Sequence, residues 1–197
     1  MSLKENNEIT LKIKCDLNEF YKIMRKRGFK KIDKFRLDDT YFLPKDLNLN
    51  KTNIRYALSK AVLVRDITDE ILDEKTKLIT FKIKKFDENG QILNQESINC
   101  NISNIDDAKK LLKAIGYKEI MNIIEDDVVY EKDGFEIAIK NIKNGDNLIE
   151  IETTDNDELD TIEKLIKKVN ELEIPVYTDN YFIKKAEVEL EKTIPHN

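Results

Sequence analysis

Residues 8–14 alternate without a break. Ile9, Leu11 and Ile13 fall on one side of an extended chain, and Glu8, Thr10, Lys12 and Lys14 on the other. That period of two defines a strand with one apolar and one polar face. The design returns twice: Ile79, Phe81 and Ile83 oppose Thr80, Lys82 and Lys84, and Ile149 and Ile151 oppose Glu150 and Glu152. Strands that repeatedly set charge against branched aliphatics predict a curved sheet. Its concave side is polar, and helices cover its apolar side.

The same patterning predicts the rest of the chain in order. Asp16 caps a helix that runs through Phe20, Ile23 and Met24 and stops near Gly28. Strands are predicted over 34–43, 56–67, 77–86 and 92–102, with a polar loop at 45–53, an acidic connection at 68–74 and a tight turn at Asn89-Gly90. Ser103 or Asn104 caps a second helix, whose buried stripe is Ala108, Leu111, Leu112 and Ile115 and which ends at Gly116. Strands over 121–131, 135–142 and 147–154 follow, turning at Asp133-Gly134 and Asn144-Gly145-Asp146. A helix over 157–172 places Leu159, Ile162, Leu165, Ile166 and Val169 on one side and is stopped by Pro175; a last helix covers 179–190. No Gly/Ser-rich or Pro-rich linker divides the chain, so residues 1–197 read as a single α+β domain with its core at about 7–191. Antiparallel hairpins with a polar concave face predict an eight-stranded antiparallel β-barrel, or tunnel, with a polar lumen and helices packed outside.

Composition narrows the class. At 197 residues, 37% charged and 40% hydrophobic, the chain can bury a substantial core and is not a disordered segment. A net charge of −5 argues against general nucleic-acid binding and leaves room only for local basic patches. No apolar run reaches membrane-spanning length and no signal-peptide pattern follows the start, so a cytoplasmic protein without a membrane partner is expected. Cys15 and Cys100 sit in predicted strands without metal-ligand spacing and read as buried, reduced thiols. His196, the single histidine, follows Pro195 in what reads as a frayed tail, so no histidine serves acid–base chemistry. Gly90, Gly134 and Gly145 read as turn residues, and none forms a phosphate loop.

A series of short motifs carries more. Glu8-Ile-Thr-Leu-Lys12, Asp39-Thr-Tyr41-Phe42, Thr80-Phe81-Lys82, the leucine-glycine-aromatic helix end at 111–117 and Glu150-Ile-Glu152 follow one another along nearly the whole chain. In this order they resemble the CYTH superfamily, the triphosphate tunnel enzymes. Class IV adenylyl cyclases, thiamine triphosphatases, inorganic triphosphatases and fungal RNA triphosphatases belong to it. The opening strand resembles the family's E-x-E-x-K with Thr10 at the middle Glu, and the others resemble its D-x-Y-F, T-Y-K and E-I-E. Departures are specific too: Leu63 and Arg65 stand at the paired arginines of L-R-x-R, and Asn94-Gln-Glu96 at R-x-E. Glu125 and Asp127 replace both cations of K-x-R-x-x-Y, which ends here at Tyr130, and Asn141 stands for the aspartate before the last strand.

The resemblance implies a triphosphate-type ligand, either a small triphosphate or a polyphosphate. A polyanion of that kind needs convergent lysines and arginines, and alternation offers Lys12, Lys14, Arg65, Lys82, Lys84 and Lys140. Hydrolysis or cyclisation also needs a divalent metal, Mg²⁺ or Mn²⁺, held by oxygen ligands. The implied ligands are Glu8, Glu96, Glu150 and Glu152. By residue type alone, Glu150 and Glu152 fit a solvated strand face equally well, and Asp39 and Tyr41 read as structural. The expected lumen sets six cations against seven carboxylates, namely Glu8, Glu96, Glu125, Asp127, Glu136, Glu150 and Glu152. Such a balance favours internal ion pairs over an open anion site. The expected function is therefore a metal-dependent phosphohydrolase of inorganic or organic triphosphate. The alternatives are a catalytically degenerate member that binds a phosphorylated ligand or partner, and an adenylyl cyclase. No individual catalytic residue is assigned, and the oligomeric state stays open, a homodimer included.

Overall fold

A computed structural model describes residues 8–86, 92–154 and 158–194. The strands are β1 (Glu8–Lys12), β2 (Lys30–Pro44), β3 (Val62–Asp69), β4 (Glu74–Phe86), β5 (Ile92–Asn101), β6 (Tyr117–Lys132), β7 (Phe135–Ile142) and β8 (Asn147–Glu152). The helices are α1 (Leu17–Lys26), α2 (Ile54–Leu58), α3 (Ile105–Ala114), α4 (Ile162–Leu172) and α5 (Lys185–Glu191). One eight-stranded sheet runs in the order β1-β8-β7-β6-β2-β3-β4-β5. Pairing is antiparallel at β1·β8, β7·β8, β6·β7, β3·β4 and β4·β5. The order is open, with β1 and β5 at its ends.

The reason at the β1 end is visible in the backbone. The Thr10 N–H donates to the Tyr181 carbonyl at 2.9 Å, Tyr177 N–H to the Lys12 carbonyl at 2.9 Å and Ile183 N–H to the Thr10 carbonyl at 3.3 Å. A C-terminal segment thus takes the edge of β1 that β8 leaves free. Those bonds also correct the last predicted helix. Residues 177–183 spend backbone groups on β1, so α5 begins only at Lys185 instead of near 179.

The chain forms two compact units, Met1–Phe35 with Glu125–Ile183, and Arg36–Ile124 with Lys184–Asn197. In the first unit, Ile9, Leu11 and Ile13 of the β1 end meet Ile137, Ile139, Ile149 and Ile151 in one buried cluster. Phe20 and Met24 of α1 and Leu165 and Val169 of α4 close over it. Each such side chain contributes about 1.5–3 kcal/mol of burial. The predicted helix stripes are met here, because apolar residues three and four apart share one helix face. Asp16 caps α1 by accepting from the Glu19 N–H at 3.0 Å. At its other end, Gly28 (φ +88°) donates to the Arg25 carbonyl at 3.0 Å and Phe29 to that of Met24 at 3.1 Å. This is a Schellman closure, and its apolar contact is the Phe29–Met24 pair inside the core.

In the second unit, Phe42, Val64, Ala108 and Leu112 form the buried cluster beneath α3. Asn104 caps α3 by accepting from the Asp106 and Asp107 N–H groups. Leu111 and Ile115, predicted in its stripe, are instead exposed (55% and 62%). The strand predicted over 56–67 is a second correction. Asn53 accepts from the Tyr56 N–H at 3.2 Å and starts α2, which buries Ala57 and Leu58 before β3 begins at Val62. Strands β3 and β4 also extend into the expected acidic connection, where the Asp69 carboxylate accepts from Ile71 and Leu72 at 2.8 Å in the turn. The helix expected over 157–172 starts at Ile162 with Thr161 as its cap, and ends at Leu172 before Pro175. The Asn89-Gly90 turn, the helix start at Asp157, and Pro195 and His196 lie outside the described residues.

The cysteines differ from expectation. Cys15 lies past the end of β1 and is half-buried, while Cys100 on β5 is exposed; both are free thiols. Burial, then the nearby Glu19 and Asp16 carboxylates, raise the Cys15 thiol above its ordinary range. Alkylation with iodoacetamide at pH 8 should therefore label Cys100 first, as read by intact mass and peptide mapping; equal rates would contradict this environment. Gly28→Ala should lower stability by about 1–2 kcal/mol, the cost of a left-handed L-residue, measured by urea denaturation.

Candidate functional site

Alternation and register together build one polar face in the first unit. Glu8 pairs with Glu152, Thr10 with Glu150 and Lys12 with Leu148 across β1·β8. Across β7·β8, Glu150 pairs with Ala138 and Leu148 with Lys140, and across β6·β7, Lys140 pairs with Asp127 and Ile142 with Glu125. Residues opposite each other, or two apart, share a face. The other face of the same strands holds the buried aliphatics, so these charged groups have nowhere else to go.

On that face, carboxylate oxygens of Glu8, Glu150 and Glu152 lie within 4.8 Å of one another. Glu8 and Glu150 are half-buried and Glu152 is exposed. Three carboxylates this close repel one another unless a cation joins them. An all-oxygen donor set without cysteine or histidine suits Mg²⁺ or Mn²⁺ and not a soft metal. The residues present therefore fit the metal that the family resemblance implies.

Beside this trio lies Lys140, a buried cation. Its Nζ stands 3.0 Å from Asp127 Oδ2, 3.3 Å from Glu150 Oε1 and 4.0 Å from Glu125 Oε1. Asp127 and Glu125 are buried almost completely. Burial acts against the Lys140 charge, but the carboxylates of Glu150, Asp127 and Glu125 outweigh it and raise its pKa above the ordinary lysine value. Glu150 thus belongs to both groups: one oxygen contacts the ammonium while the residue sits in the carboxylate trio.

The remaining predicted residues fall in separate places. Lys12 binds Asp146 at 2.6 Å, a hydrogen bond that raises its pKa against the effect of burial. Lys14 lies past the end of β1, exposed, with its Nζ 5.2 Å from the Tyr177 ring centroid. In the second unit, Arg65 makes a bidentate pair with Asp39, Nε to Oδ1 at 2.8 Å and Nη2 to Oδ2 at 3.1 Å. Lys82 and Lys84 are half-buried on one face of β4, and Glu96 is exposed. Glu96 pairs with Ile83, whereas Lys82 pairs with Ser97 and Lys84 with Gln95. The register therefore sets Glu96 on the opposite face from the two lysines. Asn141 pairs with Asn147, on the side of Ile139, so Lys140 and not Asn141 takes the β7 position that faces the carboxylates.

Sequence reasoning counted Glu125 and Asp127 as lumen acids but did not name them as Lys140's partners. The signal was there: the Asp133-Gly134 turn fixes the hairpin, and counting back from it pairs Asp127 with Lys140. Asp146 as the partner of Lys12 left no such signal, since it lies in a loop.

The comparisons agree with this architecture. The CYTH domain family matches residues 6–193, and the chain belongs to it. A Methanocaldococcus jannaschii protein named as a proposed adenylate cyclase is 25% identical over 186 residues, covering 93% of this chain and 97% of that one. A solved Pyrococcus horikoshii protein superimposes with a TM-score of 0.68 at 22% identity, over 95% of this chain and 99% of that one. A Hippeastrum protein described as an adenylyl cyclase with dominant triphosphatase activity gives 0.56 at 13% identity, over 95% of each chain. These structural likenesses establish the fold. Among the described residues, no helix is long and apolar enough to cross a membrane.

Removing one partner of a buried ion pair leaves the other charge stranded. Lys140→Met should therefore destabilise the protein by about 3–5 kcal/mol, measured by urea denaturation at pH 7. Lys164→Met, which removes a surface pair with Asp160, should leave the midpoint unchanged. Equal effects from the two would contradict the buried cluster.

Proposed function

We propose that this CYTH protein binds a triphosphate-type ligand together with Mg²⁺ or Mn²⁺ and hydrolyses it. The observation that carries the reading is the Glu8, Glu150 and Glu152 trio, whose oxygens converge within 4.8 Å. These three residues would hold the metal. A divalent ion there supplies neutralisation of the charge that develops on a transferred phosphoryl group. The chain's own work is to hold those carboxylates together and to present cations to the phosphates. In the first unit Lys12 and Lys14 are the proposed phosphate contacts, with Lys140 beside Glu150; Lys82, Lys84 and Arg65 are proposed as phosphate-binding groups of the second unit. Relatives described as adenylate cyclase and as triphosphatase support a nucleotide or simple triphosphate as the ligand class. No nucleic-acid partner is part of the proposal.

A second reading has its own observation. Arg65 is held by Asp39 in bidentate geometry, Lys140 by three carboxylates and Lys12 by Asp146, so at least three of the six expected phosphate cations are engaged with the protein itself. A site so arranged favours ligand binding without turnover. Cyclase activity would use the same residues and differ in its product.

Purified protein incubated with tripolyphosphate, ATP or thiamine triphosphate and Mg²⁺ or Mn²⁺ should release phosphate. Chelation with EDTA and the Glu150→Ala substitution should each remove that activity. Release no greater than in Glu150→Ala refutes hydrolysis; saturable calorimetric binding without release then supports the second reading. Cyclic AMP from ATP would identify a cyclase.

A further inference from the structure

We infer that the end of α1 and the segment after α4 form a further ligand site, one that takes a phosphate monoester on a flat apolar body. The inference is independent of the metal reading of Glu8, Glu150 and Glu152. In a chain of net charge −5, residues 25–31 place five cations in seven positions. Ile23, Lys26, Arg27, Glu173 and Pro175 line a pocket of about 480 Å³ in the first unit, a size usual for small-molecule sites. Lys26 and Arg27 follow Ile23 by three and four residues, so α1 sets one aliphatic side chain and two cations on one face. Ile23 also packs against the core cluster. The pocket therefore belongs to the helix-covered side of the sheet, and the carboxylate trio to the polar side.

The cations here have donors to offer. Among the described residues, neither Lys26 nor Arg27 makes an ion pair, and Arg27 spends one N–H on the Glu173 carbonyl at 3.0 Å. A helix C-terminus ordinarily repels an anion through its exposed carbonyls, but these are occupied. The Arg25 and Met24 carbonyls accept from Gly28 and Phe29, and Lys132 Nζ donates to the Arg27 carbonyl at 2.9 Å, which brings a third cation to this end. The facing wall is anchored too: Lys14 N–H donates to the Pro175 carbonyl at 2.8 Å, and Ile13 bridges to Val176. Glu173 takes the left-handed conformation (φ +47°), where glycine is usual. Its exposed carboxylate makes no ion pair among the described residues and can accept from a ligand hydroxyl. Arg27 and Lys26 suit a phosphate dianion, by fork and by point charge. Ile23 and Pro175 suit a ring.

Adenosine monophosphate is the probe, because it joins the dianion and a flat ring in one molecule. Calorimetry on the full chain is done in EDTA, so that metal-dependent binding on the polar face does not contribute. One molecule should bind per chain, with adenosine and inorganic phosphate each about 10-fold weaker or more. Lys26→Gln should weaken the probe by about 10-fold. Arg25→Gln removes the same charge from the same helix turn but does not touch the pocket, and should change affinity by less than about twofold. Both side chains are exposed, so both variants should keep the wild-type melting temperature. Amide shifts of ¹⁵N-labelled protein on titration should centre on Ile23, Lys26, Arg27 and Glu173. Equal losses in the two variants would reduce the site to diffuse surface charge and overturn the inference. Shifts centred on Lys12 and Lys14 would move the probe to the polar face and overturn it as well, as would the absence of binding.

Discussion

Pairing Ile9 with Ile151 and Leu11 with Ile149 commits one side of β1 and β8 to a buried aliphatic cluster. Because side chains alternate, the same register brings Glu8 against Glu152 and Thr10 against Glu150. The apolar core and the carboxylate trio are two faces of a single constraint. A slip of one residue would bury the acids and expose the isoleucines, a cost of many kcal/mol that no compensating contact offsets. Core packing thereby enforces the electrostatic problem at the site: several like charges held at short range by strands that cannot move apart.

Local rules made much of this legible. The bounds of β7 match the predicted 135–142 because turns with positive φ flank a clean alternation, at Asp133 and Asn144. Asp16 was readable as a cap and Gly28 as a stop because each does its work within a few residues. What the sequence concealed was set by distant partners. Residues 179–183 read as the start of a helix, yet Tyr181 and Ile183 spend backbone groups on β1, more than 160 positions earlier in the chain. Leu111 and Ile115 have helix-stripe spacing but lie on the side of α3 that the small Phe42–Val64 cluster does not cover.

The site shows the same division. Which residues share a face followed from parity, and so Glu8, Glu150 and Glu152 could be grouped before any coordinates. Glu96 could not be placed that way, since its face depends on the register across β4·β5. Where no run of aliphatics marks the inner side of a strand, parity leaves its face open until a cross-strand pair is known, and here that pair is Ile83 with Glu96. Arg65 was readable as a cation on a polar position but not as one already engaged. Asp39, 26 residues earlier and nearly fully buried, supplies two oxygens at the spacing of the guanidinium fork.

The buried Lys140 and the half-buried Arg65 differ in kind, and their partners explain the choice. Arg65 meets a single carboxylate edge-on, which suits a planar donor with fixed N–H directions. Lys140 meets three carboxylates, two on β6 and one on β8, an arrangement that suits a tetrahedral ammonium better than a flat fork. Neither pairing is a simple gain in stability, because removing such charges from water consumes most of what the attraction returns. What each pairing supplies is position. Asp39 fixes the plane of Arg65 through two hydrogen bonds, and Lys140 lies 3.3 Å from one oxygen of Glu150. A face that holds several acids close together needs that control of position more than it needs additional favourable energy.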